Sequence, residues 1–133
     1  MKNSIIFILA LFCVQLQAQD VTPSRAHSHN DYLQQSPFHL AYNEMFGSIE
    51  ADIHLVNNKI LVGHDTKDLD SARTLEKLYL ETMVAYNLQN RKLQLLIDIK
   101  TEAISTIDRL VQVLKKYPSI IQNKNIKIVL SGN

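Results

Sequence analysis

Strand-like and helix-like patterns alternate along this 133-residue chain, which points to an α/β protein built from parallel βα units. From Ile49 to Leu55, the apolar residues Ile49, Ala51, Ile53 and Leu55 alternate with Glu50, Asp52 and His54, as in a strand with one apolar face. From Leu93 to Ile99 the run is nearly all apolar, as in a strand buried on both faces. Between and after these runs, apolar residues recur at helical spacing.

Taken in order, Ser24 to Ser28 is a short candidate strand. Ser36-Pro37 opens a helix in which Phe38, Ala41, Tyr42 and Met45 share a stripe, and Gly47 ends it. The strand through Glu50 and Asp52 follows. Asn57-Asn58 signals a turn, after which Lys59 to Val62 runs extended into Gly63-His64-Asp65. A polar loop through Asp70 leads to a helix with Leu75, Leu78, Tyr79, Leu80, Met83 and Val84 on its apolar side. After the Leu93 to Ile99 strand, Thr101 is placed to cap a helix carrying Ala103, Ile104, Ile107, Leu110, Val111 and Leu114, and Pro118 stops it. Ile126 to Leu130 makes a last strand. With about four main strands, the chain has roughly half the length of a closed eight-unit barrel, which takes about 250 residues. No internal repeat, low-complexity tract or linker interrupts it.

The N-terminal stretch has a different character. Lys2 is followed by an unbroken apolar run from Ile5 to Val14 and by Gln15-Leu16-Gln17-Ala18, which reads as a signal peptide over residues 1–18. The run is too short to span a hydrocarbon core of about 30 Å as a helix. The expectation is an exported protein, periplasmic or extracellular, whose mature part is residues 19–133. Cys13 is the only cysteine and lies inside the run, so the mature chain would have no disulfide to stabilise it. With Lys2 removed, thirteen basic residues balance thirteen acidic ones, which argues against a nucleic-acid partner. The 46% apolar content is that of a globular protein rather than a disordered one.

All five histidines, His27, His29, His39, His54 and His64, crowd into the first half of the mature chain. Residues two apart on a strand share a face, so Glu50 and Asp52 project together and repel unless a cation sits between them. The plain alternative is a solvated outer face. Asp98 sits within Leu95-Leu96-Ile97-Asp98-Ile99, whose apolar neighbours imply burial, and an unpaired carboxylate there costs several kcal/mol, on the order of 3–5. An ion shared with Glu50 and Asp52 would resolve all three charges, and oxygen ligands suit Ca²⁺ or Mg²⁺ better than zinc. A salt bridge to Lys100 would equally account for Asp98. His29 and His64 fall at strand ends or in loops, where a neutral imidazole can exchange a proton near neutral pH.

These residues carry a resemblance. Ser28-His29-Asn30-Asp31-Tyr32-Leu33 resembles the Ser-His-Asn-Thr-Tyr-Leu segment of eukaryotic phosphoinositide-specific phospholipase C. Gly47 to Leu55 with Leu61 to Asp65 resembles the glycerophosphodiester phosphodiesterase pattern, in which Glu-x-Asp on the second strand precedes a His-Asp pair. The chain is thereby identified as a member of the PLC-like phosphodiesterase superfamily, of a less characterised, secreted bacterial type. The resemblance implies a TIM-type (β/α) barrel, of which about four βα units, the N-terminal half, are present. It implies a metal-dependent phosphoric diester hydrolase acting on a glycerophosphodiester- or phosphoinositide-like substrate, small or lipid-derived, with peripheral contact to membrane lipid.

Residue by residue, it makes His29 and His64 the general acid-base pair. It makes Glu50, Asp52, Asp98 and the amide of Asn30 ligands of one divalent cation, Ca²⁺ or Mg²⁺, and sets Lys100 against substrate phosphate. Two departures stand out: His29-Asn30-Asp31 replaces the His-Arg-Gly of the phosphodiesterase branch, and Asp98 is one methylene shorter than the usual glutamate. Two rivals stay open. His27-Ser28-His29 resembles the zinc-binding His-x-His of amidohydrolase-like and polymerase-histidinol-phosphatase-like barrels, although no histidine follows His64. A half-barrel with open edges would alternatively be a catalytically incomplete fragment, or would pair with another chain.

Overall fold

The computed structural model describes residues 22–88 and 91–132, so the expected signal peptide and Cys13 lie outside the described residues. Four parallel strands form one sheet in the order β1 (His27–Ser28), β2 (Ser48–Val56), β4 (Leu93–Ile99) and β5 (Ile126–Gly132). Strand β3 (Lys59–Val62) folds back antiparallel on β2. Helices α1 (His39–Asn43), α2 (Glu81–Ala85), α3 (Ala103–Leu114) and α4 (Pro118–Ile121) complete a mixed α/β fold.

Strand β2 is the centre of this arrangement. One edge pairs with β4 along Ser48 to Ile53. The other edge is shared: β1 covers Ser48 and Ile49, and β3 covers Ile53 to Val56. The chain segments that follow β1 and β3 therefore both emerge beside the middle of β2. The hairpin back to β3 uses Asn57 (φ 47°) and Asn58 (φ 61°), the left-handed pair that a tight two-residue turn needs.

The core lies on the face of the sheet bearing Ile49, Ala51 and Ile53 of β2 and Leu95, Ile97 and Ile99 of β4, packed with Leu80, Met83, Leu110 and Val113. Full burial of each such aliphatic side chain contributes about 1.5–3 kcal/mol. The opposite face differs from expectation on β4 and decides between the two alternatives on β2. On β4, Gln94, Leu96 and Asp98 are only half-buried, so this strand is not buried on both faces. On β2, the polar residues Glu50, Asp52 and His54 are buried rather than solvated. The reason is tertiary: loops after β1 and β3 close over the polar half of β2, whereas among the described residues no such loop covers β4.

Helix boundaries shift for local reasons. Helix α1 stops at Asn43, and Met45, with φ 65° and 53% exposed, leaves the apolar stripe. Arg91 donates to the carbonyls of Tyr42 and Phe46 and lies 4.4 Å from the Tyr42 ring, satisfying the helix end from outside. Thr101 does not cap α3. Glu102 does, accepting from the amides of Ile104 and Ser105 at 2.9 Å each, while Thr101 Oγ1 accepts from Leu55 N–H and ties β2 to the helix start. The buried side of α3 is Thr106, Leu110 and Val113, with Ile104 and Val111 exposed. Pro118 opens α4 rather than ending α3.

Gly47 marks the tightest approach. A Cβ there would lie 1.9 Å from Ser24 O and 2.8 Å from Ser24 C, both backbone. Gly47→Ala is expected to destabilise the protein by about 1–3 kcal/mol in urea unfolding. Gly63→Ala, whose Cβ would meet the end of the Leu69 side chain at 3.0 Å, should cost less. Equal stability of Gly47→Ala and wild type would contradict the packing described.

Candidate active site

The site grows from the polar face of β2, where Glu50 is 8%, Asp52 1% and His54 3% exposed. Two loops and one neighbouring strand bring their partners.

The loop after β1 turns at Asn30, whose left-handed backbone (φ 50°) aims its N–H at Glu50 Oε2, 3.0 Å away. Its hidden anchor is Asp31, fully buried. Asp31 accepts from Ser28 Oγ (2.9 Å), Phe38 N–H (2.6 Å) and Tyr79 Oη (3.1 Å). Tyr79 reaches it from a π-helical segment, Glu76–Leu80, that leads into α2. Tyr32 threads back so that its Oη lies 2.8 Å from Asp52 Oδ2 and 2.9 Å from Asn30 Oδ1. Burial, then the Asp52 carboxylate, push the Tyr32 phenol well above its ordinary range, and burial, then Asp31, do the same for Tyr79. Both hydroxyls stay protonated and serve as donors.

The β2–β3 hairpin delivers His64. Register pairs Ile53 with Val62, Gly63 N–H donates to Asp52 O at 3.2 Å, and the His64 ring then falls beside the Asp52 side chain. His64 Nδ1 is 2.9 Å from Asp52 Oδ2. His54 Nε2 lies 3.1 Å and 3.2 Å from the carbonyl oxygens of Gly63 and His64, holding the loop against β2.

Strand β4 supplies the third carboxylate, since Asp52 and Asp98 are paired in register. Lys100 Nζ is 2.5 Å from Asp98 Oδ2 and 3.1 Å from Asp52 Oδ2, and Ser131 Oγ donates to Asp98 Oδ1 at 2.8 Å. Burial acts to raise the Asp98 carboxyl, but the hydrogen bonds from Lys100 and Ser131 outweigh it and leave it below the usual range. The same bond to Asp98, against the opposing effect of burial, raises the Lys100 ammonium. The salt bridge and the acid cluster, posed as alternatives by the sequence, coexist.

Glu50, Asp52 and Asp98 each offer an oxygen, and these lie within 4.8 Å of one another. Oxygens bound to one Ca²⁺ at about 2.3–2.6 Å stand at most about 5 Å apart. Asp52 Oδ2 already faces Tyr32, His64 and Lys100, whereas Asp52 Oδ1 is buried with no hydrogen-bond partner. An orphaned carboxylate oxygen on an acid that clusters with two others fits a hard divalent cation.

The other expected residues are placed as follows. His29 Nε2 lies 3.6 Å from Glu50 Oε2 with its side chain 72% exposed, and His27 Nε2 lies 3.5 Å from the same oxygen. His27 is further tied to Ser48 Oγ through Nδ1 at 2.9 Å. His29 and His64 thus attach to Glu50 and Asp52, neighbours on one strand face. Asn30 meets Glu50 through its backbone, its side-chain oxygen being next to Tyr32. Lys100 is engaged by the acids themselves. Among the described residues, the three clustered acids include neither imidazole of His27-x-His29, although both approach Glu50 Oε2.

Tyr32, His54, Asp31 and Tyr79 had no role in the sequence reading. His54 was readable, being two residues beyond Asp52 on the same strand face. Tyr79 was not, because only the fold brings a residue 48 positions away to Asp31.

Residues 15–93 match the model of the AIM6-like phosphodiesterase domain. The chain belongs to the AIM6-like phosphodiesterase domain family. This is a phosphodiesterase-type hydrolase family, and the match spans β1 to the start of β4, including His29, Asn30, Glu50, Asp52 and His64. The chain is 39% identical over 70 residues to an Altered inheritance of mitochondria protein 6 homolog of Arthroderma benhamiae, covering 48% of this chain and 22% of that protein. It is 43% identical over 60 residues to Altered inheritance of mitochondria protein 6 of Eremothecium gossypii (44% of this chain, 15% of that one). The same-named protein of Saccharomyces cerevisiae strain YJM789 is 46% identical over 65 residues (46% and 16%). The chain therefore spans between 15% and 22% of the length of these relatives. No solved structure matches it significantly.

These AIM6-like relatives support the coarser expectation of a phosphodiesterase-type domain and correct one other. They are named for mitochondrial inheritance and not as exported proteins, which overturns a periplasmic or extracellular location. A short apolar run does not encode a destination uniquely, and the family match begins at residue 15, inside the stretch taken for a leader. Among the described residues, no helix is long and apolar enough to cross a membrane.

Proposed function

We propose that this chain carries the metal-holding part of a phosphoric diester hydrolase that cleaves a glycerophosphodiester- or phosphoinositide-like substrate, its sheet being the N-terminal half of a TIM-type barrel. The observation that carries the reading is the buried, unpartnered Oδ1 of Asp52, an acid clustered with Glu50 and Asp98, with His64 on its other oxygen.

Glu50, Asp52 and Asp98 would hold a divalent cation, Ca²⁺ or Mg²⁺, which would supply Lewis acidity toward the phosphate. The chain's own residues handle the protons. Asp52 accepts from His64 Nδ1–H, which selects the tautomer with Nε2 free to take or give a proton. His29, anchored near Glu50, is the partner on the other side. One imidazole takes the proton of the attacking hydroxyl as its oxygen bonds to phosphorus; the other protonates the leaving oxygen as its P–O bond breaks. The nucleophile is a neighbouring hydroxyl of the substrate, giving a cyclic phosphate, or water. Exposed Leu33 (70%) and Leu40 (44%) border the two cavities flanking the histidines, which supports a lipid-derived substrate met at a membrane surface.

Chelation is the direct test. Treatment with EDTA should reduce cleavage of glycerophosphoinositol to background, with recovery on adding Ca²⁺ or Mg²⁺. Turnover indifferent to chelation, or recovered by zinc alone, would count against the proposal.

A further inference from the structure

A half-buried arginine stands next to the site without the carboxylate that such a charge ordinarily has. Arg73 follows the polar loop after His64, and its backbone is pinned to β3 by the bond from Val62 N–H to Arg73 O, 2.9 Å. Its guanidinium donates to the carbonyl of Tyr32. Among the described residues it forms no ion pair, whereas Lys67 and Lys116 each have one and Lys100 has two. A guanidinium has five N–H donors, and a partly desolvated cation lacking an anion is an unfavourable arrangement that a ligand can relieve.

Arg73 also lines a cavity. It has a volume of about 270 Å³, and Tyr32, Gln34, Gly63 and His64 are among its walls. It opens on the His64 side of the acid cluster. On the other side, a cavity of about 380 Å³ is bounded by His27, His29, Leu40 and Phe46 and has no lysine or arginine in its wall. A phosphodiester has two substituents on phosphorus, so a substrate reacting between the two histidines extends one arm into each cavity. The two cavities differ in charge.

We infer that Arg73 recognises an anionic group, such as a phosphomonoester, on the arm of the diester that lies beside His64, so that the preferred substrate carries a second negative charge on that arm. This rests on the diesterase reading and adds a specificity to it. Exposed Asp68 borders the same cavity and disfavours an anion placed deep against it, which confines the anionic group to the Arg73 wall. The competing explanation is that Arg73 only offsets the buried Asp31 charge behind Tyr79, on which Arg73 also acts.

The experiment compares cleavage of glycerophosphoinositol with that of glycerophosphoinositol 4-phosphate by the full chain, as wild type, Arg73→Gln and Arg73→Lys. Wild type should favour the 4-phosphate in kcat/KM by about tenfold or more, mostly through KM. Arg73→Gln should remove that preference, and Arg73→Lys should restore part of it. Equal losses on both substrates, or an unchanged preference in Arg73→Gln, overturns the assignment. If wild type cleaves neither diester with Ca²⁺ or Mg²⁺, the diesterase reading fails. Calorimetry with inorganic phosphate then decides the arginine separately: binding weakened in Arg73→Gln supports an anion site, and equal or absent binding in both proteins rejects it.

Discussion

His64→Ala should abolish diester cleavage while leaving the melting temperature nearly unchanged. Loss of a positioned acid-base group removes about 10²–10⁴ of the rate. The structural loss is small, because the His64 side chain is 55% exposed and its side-chain contacts are Asp52 Oδ2 at 2.9 Å and Tyr32 Oη at 3.5 Å, and Asp52 keeps Tyr32 and Lys100 as partners. His54 holds the loop through the backbone carbonyls of Gly63 and His64, so the loop stays in place without the imidazole. Steady-state cleavage of glycerophosphoinositol and a thermal melt on the same preparations decide it. Near-normal turnover removes His64 from the proposal; lost turnover with a collapsed melting temperature makes its role structural.

Asp52→Asn has the other large expected effect, on the cation. For the wild type, a cation present at about a hundred times its Kd stabilises the folded state by about 2.7 kcal/mol. Asp52 lies two residues from Glu50 on one strand face, is paired in register with Asp98 and owns the unpartnered oxygen, so the amide removes one of three charges and weakens that ligand. The metal-induced rise in melting temperature should disappear in Asp52→Asn at the same Ca²⁺ or Mg²⁺ concentration, and diester cleavage with it. The substitution keeps the side-chain shape at a position 1% exposed, so the protein should still fold. An undiminished metal-induced shift would show that the cation, if bound, sits elsewhere.

Most of the strand order and part of the site were legible along the chain, for reasons that differ by residue. Glu50 and Asp52 were paired by the period of two alone, because pleating puts alternate residues on one face whatever surrounds the strand. Asp98 was found by its apolar neighbours, yet its surroundings were misjudged: a run of apolar residues implies burial only where another layer covers it, and one face of β4 is half-open. The cap of α3 moved from Thr101 to Glu102 because Leu55 N–H, 46 residues away, claims the threonine hydroxyl. Met45 left its helix because Arg91, also remote in sequence, stabilises an earlier stop.

Local pattern thus determined which residues can carry the chemistry: carboxylates two apart on a strand, histidines at loop positions, and a third acid amid aliphatic residues. These depend on covalent spacing and backbone periodicity, which are written in the chain. Which atoms meet was decided by the fold. The Asn57-Asn58 hairpin sets His64 against one oxygen of Asp52, the parallel register of β2 and β4 sets Asp98 opposite, and Asp31 with Tyr79 secures the loop that presents Asn30 and Tyr32. Convergence of groups far apart in sequence depends on register, loop closure and burial, and these become definite only when the whole core packs.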